Sequence, residues 1–361
     1  MNWKYTVGEK IYTHRFEAVV ESNRVNEPIY FHAPQSYEQF DFSVPVDTSL
    51  DDLASDLATR LREQYDKITF WYSGGTDSDY ILDTFLKNNI TIDEIVCLKR
   101  GFKEADWEID NFAIPKLDKV KNQLLDTQIN IMQPTINDYE KYYKTFDQTK
   151  IKQGCVNFAG WFGLMQQNFY IGYKPEKNTL VLTGHEKPAI VNVGGFNYTY
   201  FLDVEIEPHP DVYNFFIDEP LIHSKQAQLW LESIRNGKNI TDTSADDRVN
   251  CLYNRQPDDY PNTNRYFFNK PDNFIAYKTR KIRYHNTKEK LAINYCIKNC
   301  PRVIDLWLKY LDQLIEVTGT KWWNEDTPEM CPVGILSKFY CLDKKEVKTV
   351  DDLYPDGFKP Q

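Results

Sequence analysis

The sequence predicts an α/β protein built on a doubly wound, mostly parallel sheet, with a β-rich extension before it and a mixed, partly helical region after it. Three observations carry that prediction. Short β-branched and aromatic runs alternate with segments of helical periodicity from Ile68 to Leu182. One strand-like run, Ile68–Tyr72, passes through a glycine turn straight into a helical pattern marked by Tyr80, Ile81, Leu82, Phe85 and Leu86. At 361 residues the chain exceeds the size at which single cores stop growing, so it divides into 1–66, 67–217 and 218–361.

Taken in order, residues 1–66 read as short strands at Tyr5–Val7, Phe16–Glu21, Ile29–His32 and Phe40–Val44, split by glycine, proline and asparagine. His14 and His32 in these runs read as structural. A helix follows over Asp47–Gln64, with Leu50, Leu53, Leu57 and Leu61 at spacings of three and four and Asp51 and Asp52 near its positive end. After the glycine turn and its helix come a strand within Ile90–Arg100, a helix over Asn111–Leu125 and a strand at Gln128–Met132. An aromatic helix around Tyr139–Tyr143, a helix over 154–167 and a strand at Asn178–Leu182 complete the alternation, which argues for a parallel sheet.

Beyond it, β character returns at Val191–Val193, Tyr198–Ile206 and Val212–Ile217. The helix read from His223 to Ile234 is opened by Lys225 and Gln226. Residues 235–273, rich in Asn, Asp and Pro, read as a loop or lid. Val303–Val317 reads as a core helix, Met330–Leu342 as an apolar packing segment, and the tail after Asp343 as peripheral.

A net charge of −10 repels nucleic acid, so RNA contact is open only to the basic run 278–290, where Lys278, Arg280, Lys281, Arg283, Lys288 and Lys290 interleave with Tyr284 and His285. The plainer reading of that run is a solvated edge. No apolar stretch approaches the ~20 residues that span a bilayer, and the N-terminus lacks the apolar core of a signal peptide. Seven scattered cysteines read as reduced thiols of a cytoplasmic protein. Cys296 and Cys300 lack the C-x-x-C spacing of a zinc ribbon.

The stretch Ser73-Gly74-Gly75-Thr76-Asp77-Ser78 is where chemistry concentrates. The first N–H groups of a helix have no intrahelical partner, and the macrodipole adds partial positive charge there, so a strand–glycine–helix junction attracts an anion. Two glycines let a phosphate approach the backbone. Ser73, Thr76 and Ser78 bring hydroxyls to the same point. Asp77 would repel phosphate unless a cation intervenes, and Mg²⁺, an oxygen-seeking ion, is the natural bridge.

These six residues resemble the S-G-G-x-D-S signature of the PP-loop ATP pyrophosphatases, the group that includes GMP synthetase, NAD synthetase, asparagine synthetase and the tRNA-thiolating and tRNA-lysidine enzymes. No Walker A pattern occurs. The resemblance covers residues 66–190. It implies ATP cleavage between the α and β phosphates to adenylate an acceptor, with ATP and Mg²⁺ bound by Ser73, Gly74, Gly75, Thr76, Asp77 and Ser78. It sets adenine and ribose against the end of the second strand, where Arg100 can reach a phosphate. It gives the turn Thr183-Gly184 and the polar run after it a closing role: Glu186 would share the metal with Asp77, Lys187 would neutralise phosphate, and His185 would not be a general base. Lys225 stands for a later lysine that meets the pyrophosphate. Asp77, Ser73 and Lys225 are thus the candidate catalytic set. Asp79 departs from the small hydroxyl residue the family often has, and either supports the metal or weakens phosphate binding.

The acceptor, a small molecule or RNA, carries no recognisable motif, and its attacker is an amine, ammonia or a thiol. A glutamine-hydrolysing domain of the asparagine-synthetase kind needs a cysteine where Asn2 stands. Two alternatives stay open: a module that binds adenine nucleotide without turnover, and a sulfonucleotide reductase-like enzyme using Cys331 or Cys341.

Overall fold

The computed structural model describes residues 3–101, 106–144, 178–184, 189–201, 203, 212–235, 295–319, 323–324, 331–332 and 335–353. The expected helix at 154–167, the lid at 235–273, the basic run 278–290 and the residues His185, Glu186 and Lys187 lie outside them.

Five strands form the parallel sheet: β4 (Lys67–Trp71), β5 (Glu94–Leu98), β6 (Gln128–Met132), β7 (Thr179–Thr183) and β10 (Val212–Asn214). Their spatial order is β10-β7-β4-β5-β6. The chain therefore starts in the middle, steps outward through β5 and β6, then returns to the other side of β4. That is the strand order of a doubly wound sheet, and the α/β class read from the sequence holds. Ile68, Phe70 and Tyr72 point into the main core with Ile95, Cys97, Leu180 and Leu182. On the opposite face Trp71, Val96, Leu98 and Val181 form a smaller cluster. Apolar residues on both faces explain why these strands read as nearly continuous hydrophobic runs.

The helix α3 (Leu50–Gln64) begins where Ser49 accepts from the Asp52 N–H at 3.1 Å, a cap that satisfies a first-turn donor. Its buried stripe, Leu50, Leu53, Leu57 and Leu61, packs beside α4 (Thr76–Lys87), the helix that follows the glycine turn. Tyr80 of α4 donates to the Asp51 carboxylate at 2.8 Å and ties the two helices.

The N-terminal reading needs two corrections. Phe16–Glu21 is not a strand but part of α1 (Arg15–Val25), because Phe16 and Val19 bury against α8 (Pro301–Thr318) in a second core with Tyr139, Tyr310 and Leu314. Phe40–Val44 is not a strand either. After the short α2 (Gln35–Gln39), Asp41 accepts from the Ser43 N–H and hydroxyl, a local turn that competes with sheet pairing. What remains is an antiparallel sheet of β2 (Lys10–Tyr12), β1 (Lys4–Val7) and β3 (Ile29–His32). In it His32 bonds Thr6 at 2.9 Å, as a structural histidine would.

The helix expected at Asn111–Leu125 starts earlier and carries a π-helical turn at Ile109–Ala113 ahead of α5 (Ile114–Val120). The aromatic helix is α6 (Ile136–Lys144). A four-stranded antiparallel sheet joins β8 (Ala189–Val193) and β9 (Phe196–Tyr200) to β13 (Phe339–Cys341) and β14 (Val347–Lys348), and α9 (Val350–Leu353) follows. The expected strand Tyr198–Ile206 thus ends at Tyr200, and Val212–Ile217 bends after Asn214 into a turn. A short pair, β11 (Trp323–Asn324) with β12 (Cys331–Pro332), completes the described strands.

The helix α7 (Pro220–Arg235) begins before His223, since proline at a first helical position loses no needed hydrogen bond. Lys225 therefore lies more than a turn inside, not at its opening. No helix among the described residues is long and apolar enough to cross a membrane.

Candidate functional site

Strand β4 lies between β5 and β7, so its carboxyl end sits where the winding of the sheet reverses. Such a reversal opens a crevice beyond the strand ends, the common ligand position in sheets of this kind. The turn 73–75 leaves β4 at this point and α4 starts at Thr76, with Gly75 at the N-cap. A glycine cap offers no side-chain oxygen to the first turn, and the positive end of the helix faces the crevice.

The turn is braced by its own hydroxyls. Ser73 Oγ accepts from the Gly75 N–H at 3.1 Å and shares a 3.1 Å bond with Ser78, while Ser78 donates to the Gly75 carbonyl at 2.9 Å. This corrects part of the expectation, because Ser78, 4% exposed, shapes the turn and does not face outward. Gly74 has φ +72°, and a Cβ there would lie 2.5 Å from the Ala113 backbone nitrogen. The π-helical turn thus presses on the loop, and only glycine fits beneath it. Asp77 is half-buried in the first turn of α4.

The second motif converges on the same helix start. Thr183 ends β7, and a Cβ on Gly184 would lie 2.7 Å from Ile81 Cδ1 and 3.3 Å from the Ser78 nitrogen. Thr183 is 1% exposed, and its hydroxyl lacks a hydrogen-bond partner. The two stretches the sequence singled out, 73–78 and 183–184, therefore meet across the β4–β7 junction.

Asp79 does not join them. Its carboxylate accepts from the Tyr72 hydroxyl at 2.6 Å and lies 3.8 Å from the Lys116 ammonium, which also holds Asp83 at 2.6 Å. Lys116 was not legible as a partner, since that contact crosses from α4 to α5, and Tyr72, at the end of β4, reaches Asp79 only through the turn between them.

At the end of β5, Asp106 accepts from the N–H groups of Arg100 and Gly101, and Tyr139 donates to the Arg100 carbonyl at 2.7 Å. Asp106 is buried, and burial pushes its carboxyl above the ordinary range. Sequence reasoning missed this residue: nothing in the run after Arg100 distinguishes it from a solvated acid. Lys225 donates to the Val46 carbonyl at 2.7 Å and fastens α7 to the segment before α3.

No protein-family model matches this chain, and no curated protein does.

What the site can hold follows from its donors. Among the described residues no three His, Cys, Asp or Glu side chains converge as a metal cage. Asp77 stands as a single carboxylate at the helix start. That suits Mg²⁺, which takes one or two carboxylates and fills its shell with phosphate oxygens and water. The dipole of α4 suits a polyphosphate, while the space beside Gly74 and Gly184 is taken by Ala113 and Ile81.

Proposed function

We propose that this chain is an ATP-dependent adenylating enzyme of the PP-loop kind, converting ATP to AMP and pyrophosphate while activating an acceptor. One observation carries the reading. The turn 73–78 heads α4 at the winding reversal of the sheet, and Gly184 of the second motif lies against that same helix start.

In this reading the N–H groups at the start of α4, those of Thr76 and Asp77, hold the pyrophosphate portion, and charge-assisted bonds contribute about 1.5–3 kcal/mol each. Ser73 and Ser78 keep the turn open in the required shape. Asp77 would hold Mg²⁺, and the ion would supply positive charge against the pyrophosphate. Thr183 closes the crevice from the β7 side, and the loop Arg100–Gly101, held by Asp106, borders it from the β5 side. Acceptor attack then uses an amine, ammonia or thiol.

Two observations weigh against the alternatives. Asp79, the chief argument for a module without turnover, is engaged by Tyr72 and Lys116 and does not load the crevice with unpaired charge. Cys341, one of the two candidates for the single cysteine a reductase-like chemistry needs, is buried in β13.

The test is pyrophosphate release from ATP and Mg²⁺ across a panel of small-molecule and RNA acceptors. The wild-type chain is expected to release pyrophosphate with at least one, and Asp77→Asn to fall at least a hundredfold with an unchanged melting temperature. Calorimetry showing no heat for ATP, AMP or an adenylylated analogue would overturn the reading.

A further inference from the structure

The parallel sheet ends at β6, and among the described residues no strand lies beyond it. The hydrogen bonds to β5 fix which backbone groups face outward. Gln128 N–H donates to the Asp93 carbonyl at 2.9 Å, and the Met132 carbonyl accepts from the Lys99 N–H at 2.8 Å. In a parallel ladder this parity commits the N–H and C=O of residues 128, 130 and 132 to β5. Those of Ile129 and Ile131 point away from the sheet. Their side chains are 39% and 47% exposed, and Leu125, in the turn just before, is 82% exposed.

Exposed edges of this kind pair with other chains unless something blocks them, and natural proteins block them with lysine, proline or a bulge. Among the described residues, the strand Gln128–Met132 carries no such device. From Thr127 to Asn137 the chain carries no charged residue, although the molecule as a whole carries −10. Two copies that approach by most of their surface repel each other, but by this edge they do not. The segment Gln128-Ile129-Asn130-Ile131-Met132 is also nearly symmetric about Asn130. An isologous two-fold contact requires that symmetry.

We propose that β6 pairs antiparallel with β6 of a second copy, on a two-fold axis at Asn130, to make one continuous ten-stranded sheet. In that register Ile129 lies opposite Ile131 of the other copy. The pair exchanges two N–H···O bonds, and the symmetric pair exchanges two more. The outward-facing groups of both isoleucines are thereby satisfied, and their side chains cover each other on one face. Asn130 meets its own counterpart in a non-hydrogen-bonded position, with Cα atoms about 4.5 Å apart. No other register of this strand against itself engages both outward-facing residues while opposing isoleucine to isoleucine.

The test uses the full chain. Sedimentation velocity at micromolar concentration is expected to give a dimer, and Ile131→Lys a monomer with the circular dichroism spectrum of the wild type. Asn130→Cys is expected to form a covalent dimer under mild oxidation, against the wild-type thiols as background. Gln128→Cys is not, because the two copies of residue 128 would stand about 14 Å apart. The cross-link reports the register even if the lysine variant fails to fold. A monomeric wild type, a dimer that survives Ile131→Lys, or cross-linking at 128 but not at 130 would each overturn the proposal.

Discussion

Two parts of the molecule gather polar side chains, and they do so under opposite conditions. The turn 73–78 sits at a strand end on hydroxyls, glycines and one half-buried carboxylate. The other group lies inside the main core. There Asp218 accepts from the Trp3 indole N–H at 2.7 Å and from the Asn214 N–H at 2.6 Å, and His223 bonds Thr199 at 2.7 Å within a wall of Tyr37, Phe42 and Phe201.

The sealed group holds two perturbed side chains. Burial pushes the Asp218 carboxyl up to about 6 and holds the His223 imidazole down to about 3. A perturbed titratable group is a common marker of a functional site. At Asp218 and His223 burial produces the shift, in residues closed to solvent, so those shifts describe folding. The open group has the geometry of a site and needs no shifted acid.

The largest way to break this contrast is through the loop backbone. Gly74→Ala forces a Cβ against the Ala113 main chain at positive φ, and is expected to cost about 3 kcal/mol in denaturant unfolding. A variant as stable as the wild type would mean that the π-helical turn does not constrain the loop.

The sealed group yields a paired pH prediction. With a raised pKa, Asp218 contributes most below about pH 4 and loses its contribution as pH rises toward 6. With a lowered pKa, His223 contributes fully above about pH 6.5 and loses its contribution as pH falls toward 3. Between pH 4 and 6 the two slopes have opposite sign and offset each other. Relative to wild type, His223→Gln should therefore lose about 2 kcal/mol of stability on going from pH 4 to 6, where most of a 1.36 kcal/mol slope per pH unit applies. Asp218→Asn should gain the same amount over that interval. Urea unfolding at pH 4, 5 and 6 checks both, and parallel curves for all three proteins would refute the assignment.

The smallest effect sharpens the contrast. Ser73→Ala removes an acceptor from the Gly75 N–H, but water can replace it, so the expected cost is about 1 kcal/mol. The same change is expected to weaken ATP binding by more than tenfold in calorimetry. A loop hydroxyl would then matter little to the fold and much to the ligand.

What could be read in advance follows the range of the forces involved. The turn 73–78 and the strand Gln128–Met132 were legible because glycine chemistry and the alternation of isoleucine with polar residues act over a few residues. Helix α1 was not, because the sequence Phe16-Glu17-Ala18-Val19-Val20 suits a strand until α8 arrives to bury it. Lys225 was set at a helix start because the apolar periodicity begins near it, yet Pro220 starts the helix. Lys116 was invisible for a related reason, since it acts on a helix that only the fold brings near, whereas Asp106 and Tyr72 act within a few residues, through turns that no short motif marks.

The bond between Trp3 and Asp218 spans 215 residues. On a ribosome, the first hairpin emerges long before the strand that will cover it. Phe31, bridged in the finished fold to Ser337, waits longer still. Its aromatic surface must be shielded in the interval, by a chaperone or by provisional collapse, and assembly is accordingly late and slow.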